Sequence, residues 1–93
     1  MFVVTYRWKI AAGGDEEFRA AWEELSQLYI QLRGQLDARL TQRDDGVWVA
    51  KATWPDRDTY FLAMERGVPD PAIANRMNSL VKEPLEPEFR EID

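Results

Sequence analysis

The sequence predicts an α+β fold, and three observations carry that prediction. Residues 2–10 and 47–54 alternate between two kinds of side chain with a period of two, the mark of strands. Residues 15–33 place apolar side chains at three- and four-residue steps, the mark of a helix with one buried stripe. Residues 36–43 alternate again and lead through Asp44-Asp45-Gly46 into 47–54. That turn suits a hairpin, because Gly46 can take a positive φ.

Each element follows in order. In the first strand Phe2, Val4, Tyr6, Trp8 and Ile10 share one face, and Val3, Thr5, Arg7 and Lys9 share the other. Ala11-Ala12-Gly13-Gly14 breaks it. Asp15, Glu16 and Glu17 then put negative charge at a helix N-terminus, where the backbone dipole is positive. Phe18, Ala21, Trp22, Leu25, Leu28, Tyr29 and Leu32 form the stripe of that helix, and Gly34 stops it. The second strand sets Leu36, Ala38 and Leu40 against Asp37, Arg39 and Thr41. The third sets Trp48, Ala50, Ala52 and Trp54 against Val47, Val49, Lys51 and Thr53.

Asp56, after Pro55, is the expected N-cap of a second helix over roughly 57–66. Asp70 caps a third, with Pro71 at its first position and Ile73, Met77, Leu80 and Val81 as its buried stripe. Residues 82–89 carry Pro84 and Pro87 and read as a loop. Residues 88–92 read as a short edge strand. The order β-α-β-β-α-(α)-β is the ferredoxin-like split βαβ pattern: a four-stranded antiparallel sheet, helices on one face, the other face open. All of 1–93 is expected to form a single domain, with no repeat and no low-complexity segment.

Composition narrows the function. A chain of 93 residues with 45% hydrophobic side chains and four tryptophans is short for the apolar surface it must bury. An aromatic sheet face left in water would exceed the apolar patch that a monomer tolerates. Two sheets are therefore expected to meet face to face in a homodimer that closes into one barrel. Seventeen acidic against twelve basic residues leave a net charge of -5, which repels a phosphate backbone. That argues against nucleic acid as a partner, including the RNA-recognition domains that share this element order.

The chain has no cysteine and no histidine. A thiol nucleophile, a cysteine metal site and an imidazole base or haem ligand are thereby excluded. No metal site and no cofactor-binding loop is expected. Arg7 and Lys9 interrupt the first apolar run, and no stretch reaches the length of a membrane span, so no membrane partner is expected. A cytoplasmic location is the expectation.

The candidate site is a cavity for a small aromatic ligand. Trp48 and Trp54 flank Ala50 and Ala52 on one strand face, and large-small-small-large leaves room between the rings for a planar molecule. Plain interdigitated packing is the other reading of the same pattern. Tyr6 and Trp8 can face that cavity, with Tyr6 as hydrogen-bond or proton donor, or can be core. Arg7 and Arg39 can hold an anionic or phenolate substrate, or can pair with Asp37 and surface acids. Tyr60 can meet Trp54 at a cavity mouth, or can simply pack its helix on the sheet. Asn78 can reach the cavity, or face solvent with Asn75. Which face of the first strand turns inward stays open, because a one-residue slip exchanges the two sets.

Two segments, VVTYRWKIAAGGDEEFRAAWEEL and RDDGVWVAKATWPDRDTYFLAM, carry a family resemblance. A first strand ending in an Arg-aromatic-basic-apolar run precedes a glycine and an acidic helix start. A hairpin follows, and a tryptophan closes the third strand just before the second helix. Over nearly its whole length the chain resembles the antibiotic biosynthesis monooxygenase-like group of dimeric α/β barrels. The resemblance implies that fold, a homodimer, and Trp54 at the mouth of a cavity. Proteins of this fold include cofactor-independent quinone-forming oxygenases, haem-degrading enzymes, and decarboxylating or isomerising enzymes.

The quinone-forming members surround an aromatic substrate with Asn, Trp, Arg and Tyr, parts that Trp54, Arg39, Tyr6 and Tyr60 would play here. Many members carry a histidine on the second helix, where this chain has Ala63. The haem degraders use an asparagine on the first strand, near the position of Tyr6 here. Both departures argue against haem degradation. Two functions follow as expectations. One is a cofactor-independent monooxygenase acting on an aromatic or quinol-type molecule. The other is a non-catalytic dimeric module that binds a small ligand or serves structurally. An open, polar-edged interior favours the first, and a solid one the second.

Overall fold

The computed structural model describes residues 1–92. In chain order it contains β1 (Phe2–Ile10), α1 (Asp15–Arg33), β2 (Asp37–Gln42), β3 (Trp48–Trp54), α2 (Arg57–Arg66), α3 (Pro71–Ser79), β4 (Val81–Pro84) and β5 (Glu88–Glu91). The fold is α+β, with an antiparallel sheet and the ferredoxin-like order β2-β3-β1-β4. β1 lies inside the sheet. On one side it pairs with β3, placing Phe2 opposite Trp54, Tyr6 opposite Ala50 and Trp8 opposite Trp48. β2 continues the sheet beyond β3, with Ala38 opposite Ala52 and Leu40 opposite Ala50.

The other side of β1 departs from the expected single edge strand. β4 and β5 lie end to end along it: β4 pairs with Trp8–Ile10 and β5 with Phe2–Thr5. Residues 82–89, expected as a loop, thus contribute β4, and Val81 belongs to that strand rather than to α3. Pro84 and Pro87 explain the break. Neither has an N–H to give the ladder, so one continuous strand cannot form there. Leu85 N–H still reaches the Arg7 carbonyl at 3.1 Å and carries the chain across the gap.

All three helices pack on one sheet face. Phe2, Val4, Ala52 and Trp54 meet Tyr60 and Ala63 of α2. Trp48 meets Phe18, Ala21 and Leu25 of α1 and Ala74 and Met77 of α3. The helix-covered face is therefore the aromatic one. This corrects the expectation that the aromatic face needs a partner sheet to cover it. The open face carries Val3, Thr5, Arg7, Lys9, Arg39, Val49, Lys51 and Thr53, a mixed surface that water tolerates.

Local chemistry sets the helix ends. Asp56 Oδ1 accepts from Thr59 N–H at 2.7 Å and caps α2. Asp70 Oδ1 accepts from Ala72 and Ile73 N–H at 3.0 and 3.2 Å and caps α3, with Pro71 behind it. α1 closes on Gly34, whose φ of 85° is left-handed. No described helix is long and apolar enough to cross a membrane.

Candidate functional site

A cavity of about 250 Å³ lies between the aromatic sheet face and the helices. The sequence makes it. Ala38, Ala50 and Ala52 stand side by side on β2 and β3, and three small side chains in adjacent rows leave the floor low. Tyr6, Trp8 and Trp54 rise around that floor. α1 supplies Trp22, Leu25, Ser26 and Tyr29 to the wall, and α3 supplies Ala74, Met77 and Asn78. Met64, Val68 and Asn78 line the cavity and are also exposed to solvent, so they mark its mouth.

The wall is neutral: among the described residues no Asp, Glu, Lys or Arg lines it. Its polar groups are hydroxyls, amides and indoles. Tyr6 Oη lies 3.2 Å from Tyr60 Oη, and either can donate. Burial drives the Tyr6 hydroxyl well above the ordinary tyrosine range, and the bond to Tyr60 pushes it further the same way. Burial also raises Tyr29, against the opposing pull of Arg33. Both phenols are therefore neutral donors near pH 7 and are poor bases. Trp54 is 1% exposed, and its Nε1–H has no hydrogen-bond partner. A buried donor left bare costs about 1–3 kcal/mol.

The six residues expected at the site divide into two sets. Tyr6, Trp8 and Trp54 line the cavity together. Tyr60 does not line it. It is buried behind the wall, bonded to Tyr6 and stacked edge-on against Trp54 at 5.4 Å between ring centres. Trp48 also stays out: its indole Nε1–H donates to Asp15 Oδ1 at 2.9 Å and ties β3 to the first turn of α1. Arg39 lies on the open sheet face opposite Lys51, 84% exposed, with Asp37 at 3.7 Å. The period of two that turns Ala38 and Leu40 inward necessarily turns Arg39 outward.

Sequence reasoning missed Ser26 and Gln35. They are the two buried polar side chains apart from the aromatics among the described residues, and both line the cavity. Ser26 is hidden beside Leu25 in the helical stripe. Gln35 sits in the turn after Gly34, where no periodicity assigns it a side.

Comparison with known proteins agrees with the architecture. No protein-family model and no curated protein matches the sequence. Solved structures match throughout its length. SnoaB from Streptomyces nogalater, a cofactor-independent oxygenase, superposes with a TM-score of 0.78 over 99% of this chain and 92% of its own, at 18% identity. An antibiotic biosynthesis monooxygenase does so with a TM-score of 0.72 over 100% and 97%, at 17% identity.

The fold is that of the antibiotic biosynthesis monooxygenases.

An uncharacterized NIPSNAP domain protein from Burkholderia xenovorans matches this monooxygenase fold too, with a TM-score of 0.73 over 100% and 95%, at 22% identity. At such identities the likeness is one of fold, and the monooxygenase fold hosts more than one function.

Proposed function

We propose that the chain is a cofactor-independent monooxygenase-like protein of the cytoplasm that takes a planar aromatic or quinol-type molecule into its cavity. The observation that carries this reading is the hollow itself: a floor of three alanines, walls of Tyr6, Trp8 and Trp54, and the neutral Tyr6 hydroxyl among them. An apolar cavity of roughly 150 Å³ already holds benzene. The larger space here suits two fused rings.

A phenol unsubstituted para to its hydroxyl takes up one O₂. One oxygen atom becomes the new quinone carbonyl and the other leaves as water. The substrate supplies all four electrons. The protein's part is to orient the ring, exclude water and spread the charge of the phenolate onto the Tyr6 hydroxyl, which Tyr60 backs. Since among the described residues no carboxylate lines the cavity and its tyrosines are held neutral, the proton leaves to water or the substrate enters as an acidic phenol.

The absence of an ionisable base favours a second reading, a ligand-binding module without catalysis. Oxygen uptake with 1-naphthol, with ¹⁸O₂ labelling of the product, separates the two. Incorporation of one labelled atom into the naphthoquinone is the expected result. Binding without uptake would leave only the module. The proposal includes a two-fold homodimer in which open sheet faces meet. The half-buried rows of Val3, Thr5, Val49 and Thr53, which no element of the chain covers, support it.

A further inference from the structure

The cavity has a second polar station, and nothing in the aromatic chemistry above uses it. Gln35 is 6% exposed and Ser26 9%. Gln35 Nε2 donates to Ser26 Oγ at 3.4 Å, a long bond. Among the described residues neither side chain makes another hydrogen bond. The Gln35 carbonyl oxygen, one amide N–H and the Ser26 hydroxyl proton are therefore left over. Both residues line the cavity, so this spare capacity is open to a polar atom of whatever fills it.

The register separates this station from Tyr6. Tyr6 stands opposite Ala50, in the middle of the sheet. Leu36 N–H bonds the Thr53 carbonyl, so Gln35 lies one residue further out, toward the Trp54 end of β3 and on the far side of β3 from β1. A molecule that reaches both stations must be elongated.

We infer that Gln35 and Ser26 form a second anchor that recognises a neutral carbonyl or hydroxyl oxygen at the far end of the ligand. The inference rests on the aromatic-ligand reading and narrows it to fused-ring molecules with oxygen functions on two separated positions. An amide and a hydroxyl each donate and accept, so the anchor takes a ketone or a phenol equally. It rejects a carboxylate, because no cation lines the cavity to offset the buried charge.

The test is tryptophan-fluorescence titration with 1,5-dihydroxynaphthalene, 1-naphthol and 1-naphthoate. The diol is expected to bind roughly five- to tenfold tighter than 1-naphthol, the worth of one net hydrogen bond, and the carboxylate weakest. Gln35→Met keeps the side chain's length and removes its polarity. It should bring the diol's affinity down to that of 1-naphthol and leave 1-naphthol unchanged. Ser26→Ala, the smaller change, should narrow the same ratio should the first variant fold poorly. Equal binding of diol and mono-ol by the native chain, or a preference that survives in both variants, overturns the second anchor while leaving the aromatic site intact. No binding of any naphthol overturns the aromatic site and this inference with it.

Discussion

Two tryptophans on one strand face have opposite duties. Trp48 spends its indole N–H on Asp15, whereas the N–H of Trp54 is buried without a partner and its ring lines the cavity. Replacing each by phenylalanine removes similar volume but different bonds. Trp48→Phe is expected to cost about 1–2 kcal/mol more stability than Trp54→Phe in urea denaturation, because only the former loses a hydrogen bond to a charged group. Ligand affinity should fall for Trp54→Phe alone, because the Trp54 ring is part of the cavity wall and Trp48 lies outside it. Tyr6 gives a prediction in pH. Its folded-state pKa lies above its unfolded value of about 10. The neutral form is thus favoured by folding, and that contribution is complete below about pH 10 and declines as the pH rises beyond it. Thermal melts should fall more steeply on the alkaline limb for the native chain than for Tyr6→Phe. Strand alternation put Tyr6 and Trp8 on one face and Trp48 and Trp54 on another, but left open which face of the first strand turns inward and whether these rings pack or line a cavity. It could not rank Trp48 against Trp54, since the partner that distinguishes them is thirty-three residues away.

Among the elements, what is legible is whatever has local chemistry. Asp70 with Pro71, and Asp56 with Thr59, announce helix starts by bonds within three residues, and both appear where expected. Asp70→Ala should therefore lower stability by about 1 kcal/mol, read from a thermal melt. The left-handed glycines differ by surroundings. A methyl at Gly46 would meet nothing within 4 Å, so Gly46→Ala carries only the roughly 1–2 kcal/mol of backbone strain. A methyl at Gly34 would lie 3.1 Å from Thr59 Cγ2, where α1 ends against the start of α2. Gly34→Ala should cost more than Gly46→Ala in the same denaturation series. β4 was not legible because its proline and charged residues argue for a loop, and its pairing depends on the free edge of β1, a partner seventy residues upstream. Gln35 was hidden for a related reason: a turn residue has no period, and only the packed α1–β2 corner decides its direction.

For the molecule as a whole, the helices settle which sheet face is covered, and the face left open is mixed rather than aromatic. A dimer through that face should give the mass of two chains in sedimentation at micromolar concentration. Charge placed at Val49, as Val49→Glu, should shift it to one chain without disturbing the cavity on the opposite face. The neutral wall of that cavity has a different consequence. Among the described residues its ionisable groups are tyrosines held above their ordinary range, so the container itself stays blind to acidity between about pH 5 and 9. Whatever pH dependence is found in uptake or turnover then belongs to the guest, and its midpoint names the guest's own ionisation.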